Sequence, residues 1–186
     1  MNGFDVLFSL LSLLLGLAMA EILGDFGRVI ERRRIIKIGW LTPLLALLVM
    51  LDLGSFWSSA YGYRNVLVAN DLSILAVLAF ASVYYLIATL VVPEDLEGVK
   101  DLDQHYWRNR RIVVGGIILL NLPNIPLTIA VGAGPVTWSI VVAFYSFLVA
   151  LFVAKGARAN VILLLLVISI YWMVPVYSEL IARFHA

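Results

Sequence analysis

Asp52 is the residue of this sequence most able to do chemistry. It lies inside an apolar run, 38–58, about two-thirds of the way along, between Leu51 and Leu53. A carboxylate in hydrocarbon is disfavoured by about 2.5 to 3.5 kcal/mol, so acids at such depth face a bundle interior and mark ion or proton sites. No Lys or Arg lies within any of the long apolar runs, so no base in them can neutralise it. The carboxyl then either keeps its proton or is hydrated from a cavity. Ser55 and polar groups on other runs are its candidate hydrogen-bond partners. The competing reading is a structural clasp between helices, with no chemistry attached.

A second polar feature lies in the run 112–131: Asn121-Leu122-Pro123-Asn124-Ile125-Pro126. Each proline lacks an N–H and releases the carbonyl four residues back, here those of Leu119 and Leu122. Freed carbonyls together with Asn121 and Asn124 near the bilayer centre suit a cation or a polar group. A simple kink, its amides bonded to neighbouring helices, is the alternative. Glu21 completes the candidate ion- or proton-binding set. It shares a helical face with Asp25, Arg28 and Arg32, either as a solvated stripe or as a vestibule at the inner membrane edge. Asp25 and Arg28 are spaced for a local ion pair.

Ser12, Gly16, Ala20 and Gly24 recur every fourth residue in the first run. Small residues at that spacing let two helices approach closely. They predict a packing seam, either inside the monomer or between subunits. Gly54, Ser58 and Gly62 repeat the pattern further along.

Catalytic readings fare poorly. The 186-residue chain has no cysteine, and its two histidines, His105 and His185, fall outside the apolar runs. There is no HExxH, no Gly-x-Ser-x-Gly and no P-loop. No catalytic residue, metal site or cofactor is therefore expected. The stretch from His105 to Arg111 (His-Tyr-Trp-Arg-Asn-Arg-Arg) is distinctive, but no mechanism attaches to it from sequence.

The elements that must position these residues follow from composition. The chain is 63% hydrophobic and 13% charged, with a mean hydropathy of +1.02. Soluble domains run nearer 45–50% apolar and about 25% charged. Excess apolar surface of this kind needs lipid as its solvent. A net charge of +1 gives no field that would attract nucleic acid. The apolar runs 4–23, 38–58, 72–92, 112–131, 136–154 and 161–181 are each long enough to cross a bilayer as a helix. They do not alternate as barrel strands would. The expectation is an all-α, single-domain membrane bundle of six transmembrane helices. Within the first run, Leu13 to Ala20 ends in Ala18-Met19-Ala20, but no basic residue precedes it, so the run is read as a span and not a signal peptide.

Eleven of the thirteen Lys and Arg fall in the first, third and fifth gaps; only Arg64 and Arg183 fall on the other side. The positive-inside rule places the basic gaps in the cytoplasm and both termini outside, in a plasma or bacterial inner membrane. Trp40, Trp57, Trp107 and Trp138 stand near span ends, where amphipathic rings prefer to sit. The third gap, acidic at its start and basic at its end, predicts a short amphipathic interfacial helix over 94–110. Two functional readings stand. One is a small channel or transporter-like bundle with a polar path through Asp52 and the broken fourth span. The other is a non-catalytic subunit or scaffold that docks partner helices. Lipid, and either a second copy or a partner membrane subunit, are the expected partners.

Overall fold

A computed structural model describes residues 3–62, 64, 70–130 and 132–184, the last ten of these by their backbone alone. Val131, His185 and the side chain of Arg183 lie outside what is described. The described helices are α1 (Gly3–Glu31), α2 (Leu41–Gly62), α3 (Asp71–Val91), α4 (Leu102–Asn121), α5 (Asn124–Ala130), α6 (Pro135–Val153) and α7 (Ala157–Phe184). Six segments are long and apolar enough to cross a membrane, with α4 and α5 counted together. Less than half of each apolar window is buried inside the bundle. Side chains such as Leu13, Leu72, Ile129 and Trp172 point outward. Those faces fit an apolar solvent, consistent with an integral multi-pass membrane protein.

The buried residues of α1, namely Leu7, Leu11, Leu15, Ala18, Ile22, Asp25 and Val29, step by three and four and form one stripe against the bundle. α1 packs mainly on α3, and α2 touches α1, α3, α4 and α7. α2 is the most enclosed of the six. The core fills the space among α2, α3, α4 and α7 with Leu45, Leu48, Val49, Ile87, Val113, Ile117 and Leu164. Close helix approach occurs at Gly116, where a Cβ would come within 2.5 Å of Ile87 Cδ1.

The glycines of the seam expected on α1 make no close helix contact within the monomer. Nothing lies within 4 Å of a Cβ built at Gly16 or Gly24, and both are exposed, as is Ala20. The larger apolar residues of α1 win the inward face because they bury more area, and this turns the small-residue stripe outward. Ser12 faces α2: its hydroxyl accepts the indole N–H of Trp57 at 2.9 Å, and with Gly16 it lines a cavity against Leu53, Gly54 and Trp57.

The interfacial helix expected over 94–110 and running into the fourth span is not formed over its first half; the chain is helical only from Leu102. Val92 is extended, as a residue before proline prefers. Gly98 has φ +74°, a left-handed conformation that interrupts any helix there. The Asp101 side chain then accepts the Asp103 N–H at 3.0 Å, and α4 runs unbroken from Leu102 into the fourth span. Residues 93–101 form a turn pinned by buried Leu96. The turn also pairs with the α1–α2 connection: Lys37 N–H donates to Lys100 O at 3.0 Å, and Leu102 N–H to Lys37 O at 3.1 Å. Asp103 Oδ1 accepts the Leu41 N–H at 3.1 Å, capping α2 from α4. Its carboxylate lies where a Cβ on Gly39 would stand, so a side chain there would turn Asp103 away from the Leu41 N–H.

Candidate functional site

Asp52 shares the inward face of α2 with Leu45, Leu48 and Val49, and is 1% exposed. Three helices deliver donors to it. Asn121 Nδ2, at the end of α4, donates to Oδ1 at 2.8 Å. Tyr171, on α7, donates to the same oxygen at 2.6 Å. Tyr84, on α3, donates to Oδ2 at 3.1 Å. Asp52 takes part in no ion pair among the described residues. An ionised carboxylate accepts all three bonds. A protonated one gains an O–H that needs an acceptor, which a tyrosine hydroxyl can supply by turning its own donor elsewhere.

The chain break after α4 builds the rest of the site. Pro123 and Pro126 cannot donate, and α4 stops at Asn121. The released carbonyls are not left bare. Leu119 O accepts the Leu122 N–H at 3.3 Å, and Leu122 O accepts the Ile125 N–H at 3.1 Å, both as tighter-turn bonds. The carbonyl of Asn121 takes the hydroxyl of Tyr145, from α6, at 2.6 Å. Backbone oxygens are thus engaged within the protein, and the polar capacity of the break resides in its asparagine side chains. Asn124 Nδ2 donates to Asn121 Oδ1 at 3.1 Å, so Asp52, Asn121 and Asn124 form one chain of bonds.

Aromatic packing holds the tyrosines. The Tyr84 ring lies 5.3 Å from Phe56, and Phe144 lies 5.7 Å from Tyr171 and 5.5 Å from Tyr145. Sequence reasoning missed Tyr84, Tyr145 and Tyr171. Their signal was available: each falls mid-span, far from the interfacial belt, where a buried hydroxyl must find an acceptor. Ser55, the expected partner of Asp52, instead lines a cavity.

That cavity, about 590 Å³, opens between α2, the break, α6 and α7. Its polar lining is Ser55, Ser58, Ser59, Asn121, Asn124, Tyr145 and Tyr171, with apolar walls from Ile140, Phe144 and Ile170. It touches Asn121 and Tyr171, both bonded to Asp52 Oδ1. On the other side of Asp52, Leu45, Leu48 and Val49 are buried to 1% exposure or less. The polar side chains of this cavity that α2 supplies, Ser55, Ser58 and Ser59, all lie on the Ser58 side of the acid.

Glu21 does not join this cluster. It stands on α1, half-buried, one turn from Asp25. Asp25 is buried and pairs with Arg28 through one carboxylate oxygen, while Oδ2 has no partner among the described residues. Arg28 and Arg32 on this stripe are exposed and the expected Asp25–Arg28 pair forms, but Asp25 itself is buried.

The stretch from His105 to Arg111 acquires a role as a second buried polar cluster. Arg110, 3% exposed, donates through Nη1 to Leu151 O at 2.8 Å and to Asn160 Oδ1 at 2.7 Å. Tyr106, one turn earlier, donates to the same Oδ1 at 2.7 Å. Asn160 Nδ2 donates to Ala154 O at 3.2 Å and Gly156 O at 2.8 Å. The Arg110 guanidinium lies 4.7 Å from the centre of the Trp107 ring. On the opposite side of α4, His105 Nε2 lies 2.9 Å from Leu90 O, and Asn109 Nδ2 donates to that oxygen at 3.2 Å. Two i, i+4 pairs thus tie α4 to the ends of α3, α6 and α7.

Among the described residues no group of three His, Cys, Asp or Glu is placed to hold a metal ion. No protein-family model, curated protein or solved structure matches the chain, so the site is read from its own geometry.

Proposed function

We propose that this protein is a small transporter-like membrane bundle in which Asp52 takes up a proton or cation by way of the cavity beside Asn121 and Asn124. One observation carries the reading: two of the three groups bonded to Asp52 are also walls of that cavity. A change in the charge of Asp52 alters its bonds to Asn121, Tyr171 and Tyr84, and two of these touch whatever fills the cavity. Occupancy of the acid and the shape of the cavity are therefore coupled through hydrogen bonds. The serine, asparagine and tyrosine lining carries no fixed charge, which suits a small polar solute or a cation. With the basic gaps on the cytoplasmic side, the cavity faces outward and the packed leucines below Asp52 form the closed inner gate. Movement through the bundle then requires α2 or α7 to shift against that core.

A second reading is favoured by a specific observation too. Asp52 is enclosed with three donors aimed at it, which is what an interhelical clasp in a non-catalytic scaffold subunit needs. Proteoliposomes separate the two. Under an imposed pH gradient the wild-type protein should show proton or monovalent-cation flux above empty vesicles, and Asp52→Asn should remain folded with that flux abolished. Equal flux in wild type and Asp52→Asn, or none in wild type, removes the transport reading and leaves the clasp.

A further inference from the structure

At the basic end of the bundle, α2 and α7 begin beside each other, and a cavity of about 570 Å³ lies between their first turns. Lys37, Arg158 and Trp40 stand at its rim; Leu41, Val161 and Ile162 form its apolar wall. We propose that this groove binds one anionic phospholipid, with its phosphate between Lys37 and Arg158 and an acyl chain along Leu41, Val161 and Ile162. The inference is independent of any role for Asp52.

The order of chemistry along the groove matches a lipid read from headgroup to tail. Cations come first, then an indole that is 76% exposed, then aliphatic side chains. Basic pockets between spans at the cytoplasmic side have this headgroup chemistry. Arg158 makes no ion pair among the described residues. It lies in the first turn of α7, where the positive end of a 28-residue helix adds to its field. Lys37 is held in place by its backbone bonds to Lys100 and Leu102, while its side chain remains 77% exposed. Its Nζ shares Asp101 at 3.3 Å, which weakens but does not remove its charge. The acid on the groove, Asp103, accepts the Leu41 N–H and opposes an anion, but Lys37 and Arg158 outnumber it in the lining. A soluble anion would use the cations but leave the aliphatic wall unexplained; a neutral lipid would do the reverse.

The test uses the full chain in phosphatidylcholine vesicles containing either brominated phosphatidylglycerol or brominated phosphatidylcholine, because bromine quenches nearby tryptophan. Brominated phosphatidylglycerol should quench more strongly, and Trp40→Phe should remove the difference. The Lys37→Gln/Arg158→Gln double variant changes only exposed side chains and should fold normally. Its preference for the anionic lipid should fall by roughly fivefold for the Arg158 charge and by less for the shared Lys37 charge. Arg158→Lys should retain most of it. Equal quenching by the two lipids in the wild type, or a preference that survives the double variant or Trp40→Phe, overturns the proposal. Displacement of brominated phosphatidylglycerol by inorganic phosphate at constant ionic strength would assign the site to a soluble anion, and that too would overturn it.

Discussion

The clusters around Asp52 and Arg110 each draw on α4, through Asn121 and Arg110, and they contrast in what they are made of. Asn121 and Arg110 are eleven residues apart on that helix, about 16 Å along its axis. Each cluster buries one ionisable group without an opposite charge. Arg110 is met by the carbonyl of Leu151, an acceptor left over at the end of α6, and by an asparagine that is itself bonded to two further carbonyls. Carbonyls accept and never donate, so these bonds run in one direction. Asp52 is met by two hydroxyls and an amide, and hydroxyls can reverse. One cluster is a lock at the helix ends. The other is a set of bonds that can be rewired and that borders open space. Function is expected where bonds can change direction, and rigidity where they cannot.

The largest effect should come from the lock. Arg110→Met keeps the aliphatic volume but leaves Leu151 O and Asn160 Oδ1 without their charged donor. Hydrogen bonds to charged groups are each worth about 1.5–3 kcal/mol. A loss of roughly 3 kcal/mol in unfolding free energy is expected, measured by reversible denaturation in mixed micelles. If the variant is within about 1 kcal/mol of wild type, Arg110 is not a lock and the contrast between the clusters collapses.

Tyr171→Phe should sharpen the contrast. It removes one hydroxyl and one bond to Asp52 Oδ1, costing about 1–2 kcal/mol of stability. Tyr84→Phe removes one bond to Oδ2 at similar cost. Only Tyr171 lines the cavity, so flux under a pH gradient should fall at least tenfold in Tyr171→Phe and much less in Tyr84→Phe. Equal flux losses in the two variants would show that the cavity is not the route to the acid.

Much of this was legible before any coordinates. The six spans follow from apolar run length, and Asp52 and Asn121 were visible as polar residues at membrane depth that had to find one another. What sequence could not supply was facing. The Gly16, Ala20 and Gly24 stripe has the right spacing for a seam, but on α1 the stripe of Leu11, Leu15 and Ile22 competes for the inward position and takes it. The close contact instead falls at Gly116 against Ile87. The third gap misled for a different reason. Leu96, Val99, Leu102 and Tyr106 have near-helical spacing, yet one left-handed glycine at position 98 and the Asp101 cap divide them between a turn and α4. Arg110 was counted among topology-setting charges because nothing local distinguishes it from Arg108 and Arg111. Only Asn160, fifty residues on, makes it an interior residue.

The smallest effect concerns the outer end of the bond chain. Asn124 is exposed, and its one side-chain bond, to Asn121 Oδ1, spans 3.1 Å. Water in the cavity can replace that bond, so Asn124→Ala should change stability by no more than about 0.5 kcal/mol. Its effect on Asp52 is indirect: Asn121 keeps its bond to the acid but loses the neighbour that orients its amide. Flux should fall about two- to fivefold while the stability of the Arg110 lock is untouched, since the two clusters share only the rigid body of α4. A loss of flux as complete as that of Asp52→Asn would move the functional centre outward, from the acid to the asparagine pair. An Asn124→Ala variant with wild-type flux would confine it to Asp52, Asn121 and the tyrosines.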